Sequence, residues 1–269
     1  SYFYDVDGFR TNDLSILNEE ITASGIKQMA VTKEPQQIVW MARNDGSLIG
    51  LTYDRDSESL KAGWHRHEIG GDGLVESVAA IPSSDGTQTD LWVVINRTIN
   101  GVTKRYIEVM NDYFDDESEQ MDAFYLDSGL TYDVPLTITD IDETAGVLTV
   151  TSAGHGLSNG NEVLFTDIKG TTELNYKIYA IENVTTDTFD IDGLDGSAFA
   201  AYISGGIARK QIQTITGLSH LEGESVHVLA NGGAQGPFTV SSGSITLASK
   251  AAVVHIGLNY FSEAQMNRI

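Results

Sequence analysis

Asp-Gly and Asn-Gly dipeptides recur along the whole chain, for example at 45–46, 100–101, 159–160 and 231–232. Such dipeptides readily adopt the positive φ angles that tight hairpin turns need. The stretches between them are short and rich in Val, Ile, Thr, Tyr and Phe, which fit a pleated, half-buried surface. The pattern therefore predicts an all-β chain of many short antiparallel strands.

The first region, 1–134, is predicted to be propeller-blade-like, with two repeats. Strands are expected at 26–32, 37–43, 48–54 and 63–69, and the order begins again at 75–81, 91–97, 102–110 and 124–126. Trp40 and Trp92 occupy matching places, and a period of about 50 residues is typical of propeller blades. A closed propeller needs further blades, so either these lie elsewhere or the two sheets pack on something else. A short helix is expected at 13–21.

Two more regions are expected after Pro135. Six closely spaced strands between 136 and 208 predict an inserted small β-barrel over 135–210. The remaining residues, 211–269, are predicted to form a small β-sandwich or strands that return to the first region.

Charge and composition exclude several classes of protein. The chain has 16 Lys and Arg against 38 Asp and Glu, a net charge of −22, which argues against a nucleic-acid-binding surface. It has no cysteine, so disulfides, thiol nucleophiles and thiolate zinc sites are ruled out. Neither a signal peptide nor a membrane span is expected. The first residue, Ser1, and the last, Ile269, are expected to be the ends of a fragment of a longer protein.

Two short sequence patterns are similar to patterns found in functional sites. His65 and His67 would lie on one face of a strand, a spacing compatible with a metal, but no further ligands are evident, and two half-exposed structural histidines are expected. Residues 156–160 (GLSNG) fit the nucleophile-elbow pattern, yet that pattern needs a helix after Ser158, and another strand is expected there.

Acidic segments offer oxygen ligands for calcium at 5–8, 112–122 and 190–195, but none matches the twelve-residue calcium loop, so a solvated acidic surface is expected. Trp40, Trp64 and Trp92 could stack on sugars, although repeated strand positions favour core packing. No catalytic, cofactor-binding or metal-binding residue is therefore predicted, and the chain is not expected to be an enzyme.

Several segments resemble phage tail nozzle proteins, also called tail tubular or packaged-DNA-stabilising proteins. These are residues 38–46 (IVWMARNDG), 51–54 (LTYD), 63–67 (GWHRH), 91–94 (LWVV), 217–224 (GLSHLEGE) and 226–230 (VHVLA). The resemblance covers 13–134 and 211–260. It implies a virion structural protein made in the bacterial cytoplasm. Copies of it would form a ring, expected to be a hexamer, which contacts neighbouring tail proteins and through which DNA leaves the capsid.

The central segment is similar to a small barrel often inserted in phage tail proteins and named after a half-domain of ubiquitin-activating enzymes. The likeness lies in 154–157 (GHGL), 161–163 (NEV), 174–175 (LN) and 185–189. The name implies no ubiquitin chemistry.

Three functional hypotheses follow. The first is a structural conduit whose acidic lumen, formed by residues such as 112–122, repels DNA phosphates. The alternative is a glycan-binding or glycan-cleaving tail module that contacts the host surface, which a carboxylate pair beside an exposed Trp would favour. A third is a calcium-stabilised extracellular β protein.

Overall fold

The computed structural model describes residues 2–3, 8–9, 13–16, 18–54, 61–111, 114 and 119–263. Its regular elements are antiparallel β-strands and short 3-10 turns, so the all-β prediction is confirmed. The chain divides into two compact units: the first contains 1–113 and 259–269, and the second contains 114–258. The predicted boundaries at 134 and 210 stay predictions. Within the described residues, no helix is long and apolar enough to cross a membrane.

In its described residues, the first unit contains three antiparallel sheets. A short hairpin pairs β1 (Tyr2–Phe3) with β2 (Gly8–Phe9). Sheet I has the order β3-β4-β5-β6, and its strands are β3 (Ile26–Thr32), β4 (Ile38–Arg43), β5 (Leu48–Asp54) and β6 (Lys61–His67). Sheet II has the order β7-β8-β9, and its strands are β7 (Leu74–Pro82), β8 (Thr89–Ile99) and β9 (Val102–Val109).

Sheets I and II share one hydrophobic core. Trp40 and Leu48 from sheet I pack with Val75, Leu91 and Ile95 from sheet II. Strand β8 shows the alternation behind this packing, because Leu91, Val93, Ile95, Arg97 and Ile99 are buried while the residues between them are more exposed. Two antiparallel sheets with a joint core are established; a propeller arrangement stays a prediction. The strand expected at 124–126 is not formed.

The other face of sheet I is covered by the segment that was predicted to be a helix. That prediction was wrong for the described residues: the regular structure is a 3-10 turn at Glu19–Thr22, and Leu17 lies outside the description. The Asp13 carboxylate accepts hydrogen bonds from the backbone N–H and the hydroxyl of Ser15, a local turn that competes with helix formation. Ile21 is nevertheless buried against Met41, Ile49 and Leu51.

The second unit contains a seven-stranded sheet with the order β11-β17-β14-β15-β16-β13-β12. Its strands are β11 (Leu136–Thr137), β12 (Asp140–Thr144), β13 (Val147–Thr151), β14 (Glu162–Lys169), β15 (Lys177–Glu182), β16 (Thr188–Ile191) and β17 (Ser204–Lys210). A closed barrel was predicted here, but β11 and β12 are opposite edges and do not pair with each other. Because only Ile138 and Thr139 separate them, the sheet curls until its edges approach, so it is barrel-like but open.

The curled sheet encloses a core of its own, formed by Val150, Val163, Phe165, Phe189 and their neighbours. The chain enters it after β10 (Asp127–Tyr132), which pairs with the last strand, β22 (Val254–Leu258). The order β10-β22-β19-β20 forms a four-stranded sheet with β19 (Ser225–Ala230) and β20 (Gly233–Thr239). A two-stranded sheet pairs β18 (Ile212–Ile215) with β21 (Ile245–Ala251).

Further 3-10 turns lie at Gln120–Asp122, Thr172–Leu174 and Ser219–Leu221. The turn at Gln120–Asp122 is held to the four-stranded sheet by His255, which donates through Nε2 to the Met121 carbonyl at 2.8 Å. The other ring nitrogen of His255 lies 2.8 Å from the Thr131 hydroxyl, so this imidazole has a partner on each side.

Candidate functional site: a histidine pair against Trp40

Four residues form one row across sheet I. The register pairs Ala30 with Trp40, Trp40 with Gly50, and Gly50 with His65, so all four lie on the same face. This face carries the core shared with sheet II. Gly50 has no side chain, and the His65 ring occupies the space where a Cβ atom would stand. The glycine therefore allows His65 to reach Trp40 across an intervening strand.

The two histidines form a hydrogen-bonded pair, which we call the histidine pair (His65 and His67). His65 Nδ1 lies 2.7 Å from His67 Nε2, and His65 Nε2 lies 3.3 Å from the Thr52 hydroxyl. The ring centroids of His65 and His67 lie 5.5 Å and 5.0 Å from that of Trp40. The Trp40 indole N–H donates to the Thr32 hydroxyl at 3.1 Å. The sequence predicted the shared face but not these contacts.

Both imidazoles favour their neutral form. Burial lowers the pKa of His65 below its ordinary value of 6.5. Burial, and then the charge that His65 would carry, lower the pKa of His67 to about 4. Near pH 7 the pair is therefore neutral, and one ring donates its N–H to the other.

The geometry of the pair differs from that of a metal site. The two facing nitrogen atoms are at hydrogen-bonding distance and already satisfy one another. A zinc ion would require two nitrogens each about 2.0–2.1 Å from the metal, which places them farther apart. In the part of the chain that the structure describes, no group of three His, Cys, Asp or Glu residues could hold a metal ion. The histidine pair can therefore pack against Trp40, form one hydrogen bond between its two rings and take up a proton.

Substituting Gly50 tests the packing of the histidine pair. Gly50→Ala is expected to lower the free energy of unfolding by about 1–3 kcal/mol, because the new methyl group overlaps the His65 ring and overpacks the site. The matched control is Gly63→Ala on the neighbouring strand, where a Cβ atom would meet nothing within 4 Å. Urea unfolding of both variants measures the difference, and equal stabilities would contradict this account of the row.

A shallow depression of about 40 Å³, open to solvent, lies beside Trp40 in the first unit. Its polar lining includes two carboxylates and three amides, and these residues are Glu34, Asp90, Gln36, Gln88 and Asn111. Trp40 lines it as well but is only 3% exposed, so its ring face cannot stack on a sugar. These groups can donate and accept hydrogen bonds, but the depression has room for about one water molecule.

The other tryptophans have different surroundings. Trp64 donates its indole N–H to the Leu14 carbonyl at 2.8 Å, which holds the N-terminal segment on sheet I. Trp92 is half-buried and lies on the face of sheet II that points away from the shared core. Trp92 is therefore the one of the three that is placed for an external contact.

The predicted elbow and calcium segments are placed as follows. After Ser158 the chain turns at 159–160 and enters β14, so the helix of a nucleophile elbow is not formed. Asp190 accepts hydrogen bonds from Thr149 and Asn183, and the Ser197 N–H lowers the pKa of Asp195. Most of the acidic segments 5–8 and 112–122 lies outside the described residues.

One further histidine has an unusual environment. His155 is buried in the curled sheet with its ring edge against Phe189. Its Nδ1 accepts the Leu157 N–H at 3.0 Å, so the proton of the neutral ring is on Nε2, which is buried without a hydrogen-bond partner among the described residues. This hydrogen bond orders the loop at 154–157, and His155 belongs to none of the sites described above.

Comparison with known proteins gives one match, to the second unit. Residues 142–213 match the family model of the ubiquitin-activating enzyme E1 FCCH domain. The matched range begins within β12 and ends within β18, and so covers most of the curled sheet. It confirms the resemblance noted for this segment, and leaves the resemblance of the flanking regions to phage tail nozzle proteins a prediction. A search of curated proteins found no match to the chain.

Proposed function

We propose that this chain is a structural component of a phage or prophage tail, a fragment of a nozzle protein that forms a ring through which DNA passes. The observation that supports this most is the position of the segments that resemble that family. Four of them lie on β4, β5, β6 and β8, where Trp40, Leu51, Leu91 and Val93 are buried, and the other two lie at the 3-10 turn Ser219–Leu221 and on β19. The buried side chains of the first four segments hold the sheets of the first unit together, which is the role expected of a structural protein.

The charge supports the same proposal. A net charge of −22 makes the chain repel DNA phosphates, so a duplex would slide along it without persistent contacts. In the proposed ring, the acidic residues of 112–122 line the lumen. The small barrel-like segment is an accessory module on this scaffold.

Electron microscopy of the full-length protein tests the proposal. The expected result is rings with a central channel, with copies of this chain around it and neighbouring tail proteins at either end. Monomers alone under virion-like conditions would contradict it.

In assembled phage, replacing the acids of 112–122 by Lys should slow DNA ejection, because the lumen would then attract phosphate. An unchanged ejection rate would count against the acidic lumen but not against the ring.

A second candidate is a glycan-binding or glycan-cleaving tail module. The carboxylates and amides beside Trp40 support it, because such groups bind sugar hydroxyls, although the buried Trp40 ring cannot stack on a sugar. Release of reducing sugars from host polysaccharide would support cleavage, and loss of that release in Asp90→Asn would assign it to the depression. Binding without cleavage would be seen by calorimetry. Neither signal is expected from a conduit.

A further inference from the structure

Strand β9 is an edge of sheet II that has no partner strand on its outer side in the described residues. The two-residue turn at Asn100 and Gly101 has positive φ angles and is closed by the pair Ile99 and Val102. Val102 forms a hydrogen-bonded pair with Ile99, and along an antiparallel ladder hydrogen-bonded pairs alternate with non-hydrogen-bonded pairs. The backbone groups of the even-numbered residues of β9 therefore bond to β8. The bond from Met110 N–H to the Leu91 carbonyl continues this alternation.

The backbone groups of the odd-numbered residues therefore point away from sheet II. They belong to Thr103, Arg105, Ile107 and Val109, and they offer a row of donors and acceptors to another strand. The side chains of the same residues lie on the outer face of the sheet, where Ile107 is 74% exposed. An edge of this length with exposed apolar side chains invites pairing.

Charge decides which strand fits this edge. A lysine on an edge strand usually discourages pairing, and β9 carries Lys104. When β9 is laid antiparallel to a copy of itself and centred on Tyr106, Lys104 of one copy stands opposite Glu108 of the other, whose carboxylate also binds Arg97 of its own chain. All four outward-pointing residues are then paired, Thr103 with Val109 and Arg105 with Ile107, which gives up to about eight backbone hydrogen bonds. Shifting the register by two residues loses pairs and separates the opposite charges.

The outer face next to the edge supports the same partner. Ala79, Trp92 and Val109 form one apolar row across sheet II, and in the next row Val94 and Ile107 are apolar and Ser77 is polar. In the centred register, Ile107 packs on the aliphatic part of the other copy's Arg105, whose guanidinium remains paired with Glu76 of its own chain. The contact thus covers the most exposed apolar side chain of the edge.

We propose that the β9 edge binds a second copy of this chain, with the two β9 strands antiparallel about a twofold axis. The two three-stranded sheets then form one six-stranded sheet. Such a contact is isologous and closes with two copies, whereas a ring needs two different surfaces on each copy. The inference therefore goes beyond the proposed function, and does not depend on the ring.

Sedimentation velocity of the 269-residue chain tests this contact. The interface is small, so a monomer–dimer equilibrium is expected at roughly 10–100 µM protein. Ile107→Pro removes an outward N–H that no bond within the sheet uses, and is expected to shift the protein to monomer at every concentration in that range. Lys104→Glu is expected to weaken the dimer at least tenfold, because two glutamates then face each other at each end of the pairing.

Two controls keep the result interpretable. Lys177→Glu makes the same charge change on an exposed residue of β15, in the second unit, and is expected to leave the dimer intact. Thermal melting of Ile107→Pro shows whether the variant is folded; if it is not, Lys104→Glu decides. A wild-type chain that stays monomeric up to 100 µM, or a dimer that persists in Lys104→Glu with unchanged affinity, would overturn the proposal. Either result would leave the proposed ring, and its test by microscopy, unaffected.

Discussion

Replacing Arg97 by Met is expected to lower the free energy of unfolding of the first unit by about 3–5 kcal/mol. The Arg97 side chain is fully buried in sheet II, where its guanidinium binds both carboxylate oxygens of Glu108 and its Nε donates to the Gly70 carbonyl at 2.8 Å. Methionine fills a similar volume but leaves the largely buried Glu108 carboxylate without its cation. An uncompensated buried charge is among the most destabilising single changes.

Urea unfolding followed by tryptophan fluorescence measures this loss. All three tryptophans lie in the first unit, so the signal reports on the unit that holds Arg97. The matched control is Arg105→Met on the same sheet, which breaks the solvent-exposed pair between Arg105 and Glu76. Because water screens that pair, the urea midpoint of Arg105→Met is expected to differ little from that of the wild type. Similar losses in both variants would show that burial does not set the strength of the Arg97 pair.

The strands were the most predictable part of this fold. The bounds of β3 and β5 agree with the sequence prediction, because turn residues border them and both are rich in apolar residues. Strand β10 was not predicted, since its partner β22 lies more than a hundred residues further along the chain. The start of β20 was also missed: residues 233–237 (GAQGP) have low strand propensity, and pairing with β19 overrides it.

The histidine pair shows where prediction from sequence ends. The spacing of His65 and His67 was enough to place both on one face of a strand. Their contact with Trp40 depends on the register of three neighbouring strands, which no local pattern specifies. A glycine inside a predicted strand was the available signal, because it often marks a close approach of another group. Gly50 is such a glycine, and the His65 ring is that group.

The first unit is expected to lose about 3 kcal/mol of stability as the pH falls from 6.5 to 4, through His67 alone. In the unfolded chain His67 has its ordinary pKa of 6.5, whereas in the folded protein its pKa is lowered to about 4. Between these values the unfolded state binds more protons than the folded state, so protonation favours unfolding. The contribution of the neutral ring is complete above pH 6.5 and is lost by pH 4.

Urea midpoints measured by tryptophan fluorescence between pH 7.5 and 4.5 give the slope of stability against pH. The variant His67→Phe shows which residue causes that slope. Phenylalanine keeps an aromatic ring near Trp40 but cannot take up a proton, so the variant is expected to lose most of the dependence on pH. At pH 7.5 it should be less stable than the wild type, because the hydrogen bond to His65 Nδ1 is gone. His65, whose pKa is also lowered by burial, accounts for the slope that remains. A variant that keeps the full slope would mean that other groups, and not this pair, make the first unit sensitive to acid.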